Sequence, residues 1–166
     1  MSIKINDNEN KTYIVLGAPH SATSFISKML EENGVEMHNS KTEKYEPYYE
    51  DPDFIYLNRR ILYNAKGSLG KPPSENNLFK VDVKNRIKNL IKKKKSKFWG
   101  FKDPRTALTF NKYLPHLDGD VYLICCFRKP ERTFKSYCRE NGQIPPNLIA
   151  SYNKAIISAI SKFCEF

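Results

Sequence analysis

Apolar residues fall in three short, nearly continuous runs, and each run predicts a β-strand. Residues 13–16 read Tyr-Ile-Val-Leu, residues 98–102 contain three aromatic side chains, and residues 121–127 are apolar throughout. β-Branched and aromatic residues favour strands, and a run without polar alternation is typical of a strand buried on both faces of a parallel sheet. The third run is therefore predicted to be an interior strand. Residues 35–37 are predicted to add a short further strand.

Between these runs apolar residues recur every three or four positions, which predicts amphipathic helices. The first helix follows the first strand and carries Phe25, Ile26, Met29 and Leu30 on one face. Strands that alternate with helices predict an α/β fold, here a three-layer, doubly wound parallel sheet of four or five strands. The other helices are predicted over residues 53–65, 81–94 and 106–113, from residue 130, and from residue 146.

The turn between the first strand and its helix, residues 17–24, has the composition of an anion-binding site. The first N–H groups of a helix have no partner within it, and the helix dipole is positive at that end. The register follows the P-loop pattern G-x-x-x-x-G-K-[ST], but Ala22 stands at the second glycine and Thr23 at the lysine. We therefore expect a trimmed P-loop NTPase-like fold whose turn holds an anion other than a magnesium-bound triphosphate. The alternative is an ordinary strand-to-helix turn.

Charged residues also follow the other two strands directly. Lys102, Asp103 and Arg105 follow the second run, and Arg128 follows the third, eight positions before Ser136. Ligands of parallel α/β sheets bind beyond the carboxyl ends of the strands, so these side chains are expected to face the same crevice as the first turn. Arg105 has a second interpretation, as an ion-pair partner of Asp103.

Length and charge restrict the class of protein. The chain has 166 residues and a formal charge of +10, so we expect one domain, residues 1–166, with an anionic partner. Residues 1–11 are predicted to be a flexible segment. No apolar run reaches the roughly 20 residues that span a bilayer, which predicts no membrane span and a cytoplasmic protein. The four cysteines are expected to be reduced, and the histidines lack zinc-ligand spacing, so no metal site is predicted.

The helix predicted over residues 81–94 is basic on its outer face and ends in a lysine run at positions 92–95. One interpretation is a solvated face whose lysines suit the carboxyl end of the helix. The other is a docking patch for an acidic substrate or for nucleic acid. Nucleic acid is not expected, because no aromatic residues are interleaved to stack on bases.

Three motifs, taken together and in this order, resemble the sulfotransferases that use 3′-phosphoadenosine 5′-phosphosulfate. The donor loop of that family has the form P-[KR]-S-G-T-[ST], and its second anion site pairs an Arg with a Ser eight positions on, as Arg128 and Ser136 do here. The string WGFKDPRT is similar to W-G-x-K-D-P-R-x in short bacterial and phage-type members. The resemblance covers roughly residues 12–140. The matching loop residues are Pro19, His20, Ser21, Ala22, Thr23 and Ser24.

The resemblance implies transfer of a sulfuryl group from this donor to a hydroxyl or amine of a carbohydrate, lipid or small-molecule acceptor. Adenosine 3′,5′-bisphosphate would be left, and no metal would be needed. The first turn would hold the 5′-phosphosulfate, and Arg128 with Ser136 would hold the 3′-phosphate. Lys102, together with His20 in its charged form, would stabilise the departing phosphate.

The general base is less closely defined by the resemblance. Members of the family use a Glu or a His near the segment that here spans residues 36–50, and Glu46 and His38 are the leading candidates, ahead of Glu36, Glu50 and Asp103.

Two positions depart from the family's loop. His20 replaces its basic residue, so a fixed charge becomes a titratable one, and Ala22 replaces its glycine. Two alternatives to an active sulfotransferase therefore stay open. One is a P-loop nucleotide kinase or hydrolase, and the other is a catalytically degenerate protein that binds anions or nucleic acid.

Overall fold

A three-stranded parallel sheet forms the centre of the protein. The computed structural model describes residues 10–37, 48–145 and 147–165, so all but the last two residues of the predicted flexible segment lie outside it. The strands are β1 (Lys11–Gly17), β2 (Phe98–Lys102) and β3 (Asp120–Cys126), and β1 lies between the other two. Because all three run in parallel, their carboxyl ends meet at one edge of the sheet.

Seven helices in the described part of the chain flank this sheet. They confirm the predicted α/β fold, and none is long and apolar enough to cross a bilayer. The helices are α1 (Thr23–Glu32), α2 (Pro52–Asn64), α3 (Glu75–Phe79), α4 (Lys84–Lys94), α5 (Thr106–Tyr113), α6 (Pro130–Asn141) and α7 (Leu148–Cys164).

The sheet has three strands among the described residues, where four or five were predicted. The segment at residues 35–37 contributes one parallel bridge, from Glu36 to Trp99, and no full strand. The amide of Glu36 donates to the Phe98 carbonyl at 2.9 Å, and its carbonyl accepts from Gly100 at the same distance. A segment of three residues can form few backbone hydrogen bonds beyond these two. The apolar residues outside the three strands mostly recur at helical spacing, so in the described part of the chain they form helices and no further strand.

The main core lies on one face of the sheet. Ile14 and Leu16 of β1 and Phe101 of β2 pack there with α2, α5 and α7, and the rings of Phe54 and Phe101 stack with centroids 4.0 Å apart. The other face carries a smaller cluster around Val15, covered by α1. Helices on both faces hold the sheet in place, which fixes the positions of the residues at its carboxyl edge.

The prediction that the third run is an interior strand was wrong. β3 pairs with β1 over all seven residues but lies at the edge of the sheet that the described residues form, and none of its own residues is fully buried. Tyr122 is 42% exposed, whereas Ile14, Val15 and Leu16 of β1 are at most 1% exposed. Composition predicted the strand correctly, but its neighbours are set by the topology of the chain.

Most helix boundaries agree with the predictions, and one helix was missed. Asp51 caps α2 by accepting a hydrogen bond from the Asp53 amide, and α6 begins at Pro130 as predicted. Helix α3 lies partly within residues 66–77, which were predicted to be loop because of their glycines and prolines. Ser74 accepts from the Asn77 amide and so caps this short helix, a local signal that composition hides.

Candidate functional site

The turn between β1 and α1 folds back closely on the end of the strand. A Cβ atom on Gly17 would lie 2.3 Å from Ser21 Oγ and 2.4 Å from Thr23 Cγ2, so only glycine allows this approach. His20 and Ala22 both adopt left-handed backbone conformations, with φ of 64° and 71°. Ala22 therefore has the backbone conformation that a glycine favours, at the position where the P-loop pattern has glycine.

The first turn of α1 offers N–H groups that other described residues do not use. The Ser21 amide donates to the Ala18 carbonyl at 3.1 Å, but the amides of Ala22, Thr23 and Ser24 have no acceptor among the described residues. The hydroxyl of Ser21 is buried and likewise without a partner there. Free N–H groups at the positive end of a helix suit an anion.

Lys102, the last residue of β2, reaches this turn from the neighbouring strand. Its Nζ lies 3.3 Å from Ser24 Oγ, and the side chain is 1% exposed. Ser24 Oγ also donates to the Tyr48 carbonyl at 3.2 Å. This hydroxyl therefore contacts both the end of β2 and the segment that precedes α2. The predicted convergence of Lys102 and the first turn is therefore present in the structure.

Glu50 is the acidic partner of Lys102. Its Oε1 accepts a hydrogen bond from Lys102 Nζ at 2.9 Å. Burial raises the pKa of Glu50, an effect that the charge of Lys102 partly offsets, and burial likewise lowers the pKa of Lys102. Sequence reasoning included Glu50 among several possible bases, but spacing alone could not distinguish it from its neighbours.

Asp103 and Arg105 form a buried ion pair beside this cluster. Arg105 Nη1 lies 2.6 Å from Asp103 Oδ1, as the second interpretation of Arg105 expected. The other carboxylate oxygen accepts from Asn58 Nδ2 at 2.9 Å. Asn58 Oδ1 in turn accepts from Thr109 and Tyr113. These residues form a buried hydrogen-bond network next to the carboxyl end of β2. Sequence analysis gave no indication of Asn58, because only the packing of α2 against α5 brings it to this place.

Arg128 and Ser136 converge on His20 from the third strand end. Arg128 Nη1 donates to the His20 carbonyl at 3.0 Å, and Ser136 Oγ lies 3.3 Å from His20 Nδ1. Burial lowers the pKa of His20, the carboxylate of Glu140 opposes that effect, and Arg128 adds to it. The expected contribution of a charged His20 is therefore reduced near neutral pH.

Two predicted residues cannot be placed. His38 and Glu46, the leading candidates for the general base, lie outside the described residues. Pro19 belongs to the turn itself.

Three of the four lysines of the run at residues 92–95 form ion pairs with carboxylates. Lys94 bonds to the buried carboxylate of Asp51, Lys93 to Asp53, and Lys95 to Asp118. This arrangement favours a structural role over the predicted alternative of a free docking patch.

The remaining candidates for chemistry lie apart from the turn or are unsuited to it. All four cysteines are free; burial raises the pKa of Cys125 to about 11, which makes its thiol a poor nucleophile at neutral pH. No group of three or more possible metal ligands occurs in the part of the chain that the structure describes. A cavity of about 1080 Å³ lies among α3, α4, α5 and α7, and none of the predicted site residues within the described ranges lines it.

No family profile, curated protein or solved structure matches this chain. The geometry of the site and the motifs in the sequence are therefore the grounds on which a function can be inferred.

Proposed function

We propose that this protein transfers a sulfuryl group from 3′-phosphoadenosine 5′-phosphosulfate to a hydroxyl or amine of a carbohydrate, lipid or small-molecule acceptor. The observation that carries the proposal is that polar side chains at the carboxyl ends of β2 and β3 both contact the turn that follows β1. Lys102 reaches Ser24 from β2, and Arg128 reaches His20 after β3. The chain moves from one side of β1 to the other between β2 and β3, and ligands of open α/β sheets bind at such a switch point.

The donor has anionic groups at two separated positions, and the site offers two sets of anion-binding groups. The free amides of Ala22, Thr23 and Ser24 suit the 5′-phosphosulfate. Arg128 and Ser136 suit the 3′-phosphate, as the resemblance to the sulfotransferases implies. Because both side chains contact His20, a phosphate would have to replace or share these hydrogen bonds.

The transfer requires one nearby group that stabilises negative charge and another that accepts a proton. The acceptor oxygen forms a bond to sulfur while the bond from sulfur to the 5′-phosphate oxygen breaks, so negative charge grows on that phosphate. Lys102 is the buried cation next to the turn, and removal of such a donor typically costs about 100- to 1000-fold in rate. The acceptor's proton would pass to Glu50, whose raised pKa makes it a better base than an exposed glutamate.

A kinase or nucleotide hydrolase is a weaker candidate on the same geometry. A P-loop takes its phosphate-binding lysine from the turn, at the position of Thr23. Here the cation comes from β2 and is already paired with Glu50 at 2.9 Å. The turn at residues 17–24 itself contains no lysine or arginine for the phosphates of a triphosphate.

Calorimetric titration with adenosine 3′,5′-bisphosphate tests the proposal without knowledge of the acceptor. We expect binding that needs no metal, and Arg128→Ala should weaken it about tenfold or more, since a hydrogen bond to a charged group contributes roughly 1.5–3 kcal/mol. Arg59→Ala, at an exposed position of α2, is the matched control and should bind like the wild type. Absence of binding, equal binding by Arg128→Ala, or a preference for magnesium-ATP would overturn the proposal.

A further inference from the structure

Strand β3 has the sequence of an interior strand and the surroundings of an edge strand. Its residues, Asp-Val-Tyr-Leu-Ile-Cys-Cys, include no proline or lysine, which are the residues that commonly protect an exposed edge. The pairing with β1 is continuous over residues 120–126, so no bulge bends the edge away either. A long, apolar, regular edge is the kind that pairs with a further strand.

The backbone on the outer side of β3 is available for such pairing. Within the ranges that the structure describes, no strand bonds to the side of β3 that faces away from β1. Alternate residues of a strand direct their N–H and C=O groups to opposite sides, so half of the peptide groups of β3 point outward. A second strand there would satisfy them.

Aromatic side chains are exposed on β3 and in the segment that follows it. Tyr122 in the middle of β3 is 42% exposed, and Phe127, directly after the strand, is 52% exposed. Phe134, in the second turn of α6, is 49% exposed. Isolated exposed apolar side chains are ordinary, but two on and directly after a strand with an open edge, and a third on the next helix, indicate an interaction surface.

The charges at the two ends of β3 indicate what its partner is. Asp120 is the first residue of the strand, and Arg128 and Lys129 follow its last residue. Two copies of β3 placed side by side in antiparallel fashion bring the acid of each copy next to the cations of the other. Pairing centred on Ile124 sets Asp120 opposite Arg128, with Lys129 one position further. Parallel pairing would instead bring like charges together.

We propose that β3 pairs with β3 of a second copy of this chain, antiparallel and about a two-fold axis, so that two three-stranded sheets become one six-stranded sheet. Such an interface is self-complementary, as a two-fold dimer requires. Backbone hydrogen bonds supply affinity, and the exposed aromatic rings at the edge become buried. The apolar composition of β3 is then explained by burial in the dimer.

Sedimentation velocity of the full chain, from low micromolar to several hundred micromolar, tests this proposal. We expect a monomer–dimer equilibrium whose dissociation constant rises at least about tenfold in Tyr122→Lys, because in this register the lysine lies opposite the apolar Cys126 of the second copy and an edge lysine opposes strand pairing. The matched control is Tyr63→Lys, which alters a tyrosine of α2 that is 79% exposed, and it should leave the dimer unchanged.

Charge exchange then tests the antiparallel orientation. Asp120→Lys and Lys129→Asp should each weaken the dimer, and the double variant should recover part of the lost affinity. Thermal unfolding of each variant establishes that it is folded, and neither position belongs to the proposed donor site. A wild-type chain that stays monomeric at every concentration overturns the proposal, as does a dimer that Tyr122→Lys leaves intact. Charge exchange without recovery overturns the antiparallel arrangement.

Discussion

At the scale of single residues, the turn after β1 combines a required glycine with an alanine under strain. Gly17 has no room for a side chain, whereas Ala22 accepts a φ of 71° that costs an L-amino acid about 1 kcal/mol or more. Strain of this kind is retained where the surrounding structure imposes it, and it is common at binding sites.

Ala22→Gly should therefore stabilise the protein by up to about 1 kcal/mol, because glycine adopts this conformation without a steric penalty. Urea unfolding followed by circular dichroism measures the difference. The matched control is Gly34→Ala, at a φ of 87° with no atom within 4 Å of the added Cβ, which should cost about 1 kcal/mol through backbone strain alone. A destabilised Ala22→Gly would contradict the strain argument.

Glu50→Gln should destabilise the protein by about 3 kcal/mol at pH 7, since it leaves the buried ammonium of Lys102 without its closest carboxylate. The loss should shrink as pH rises. The pKa of Lys102 is already lowered in the folded state, so the unfolded chain binds its proton more tightly, and the contribution of Lys102 to stability increases with pH up to about 10.5.

Urea unfolding at pH 7 and pH 9.5 measures this change in the Glu50→Gln variant. Glu32→Gln is the control, because the Lys28–Glu32 pair is exposed on α1 and its loss should cost less than about 1 kcal/mol at either pH. Equal losses in the two variants would show that the Lys102–Glu50 pair contributes no more than a surface pair.

At the scale of elements, α2 and α5 hold the carboxyl end of β2 through a buried polar network. Asn58 of α2 donates to Asp103 and Thr106 and accepts from Thr109 and Tyr113. Buried polar groups are stabilising only when they are all satisfied, so the network depends on one amide side chain. The network fixes the position of the segment that follows Lys102.

Asn58→Ala should lower the free energy of unfolding by about 3 kcal/mol or more, since each buried group left without a partner costs roughly 1–3 kcal/mol. Chemical denaturation is again the measurement. Arg59→Ala, the next residue of the same helix, is exposed and should change stability by less than about 0.5 kcal/mol. A small loss in Asn58→Ala would mean that water replaces the missing hydrogen bonds.

At the scale of the whole molecule, buried groups that resist ionisation determine the response to alkaline pH. Burial raises the pKa of Tyr113 and Tyr152 well above the ordinary value, and that of Cys125 to about 11. Lys102 acts in the opposite sense, because its pKa is lowered. Burial also raises the pKa of Cys126, so four groups oppose Lys102 above pH 9.

We expect stability to fall as pH rises above about 9, because the unfolded chain loses protons that the folded state retains. The two tyrosines and the two cysteines contribute stability fully below their unfolded pKa values and lose it as the pH approaches the raised ones. Urea unfolding at pH 8 and pH 10.5 measures the decline. Tyr152→Phe should make the decline less steep, and a flat profile in the wild type would contradict the expectation.

The sequence by itself determined the elements and the residues at the strand ends. Apolar runs, helical spacing and proline positions correctly predicted β1, β2, β3 and the helices α2 and α6, because these signals act over a few neighbouring residues. The order of residues 13–24 also predicted that a strand leads into a turn suited to an anion.

Only the tertiary structure decided which side chains meet. Arg128 and His20 are 108 positions apart, and Lys102 and Glu50 are 52 apart, so no spacing in the sequence could pair them. The edge position of β3 and the role of Asn58 were missed for the same reason. The residue types of a segment indicate the environment in which that segment is stable, such as the interior of a sheet. The order of strands and the packing of helices decide whether the chain itself provides that environment.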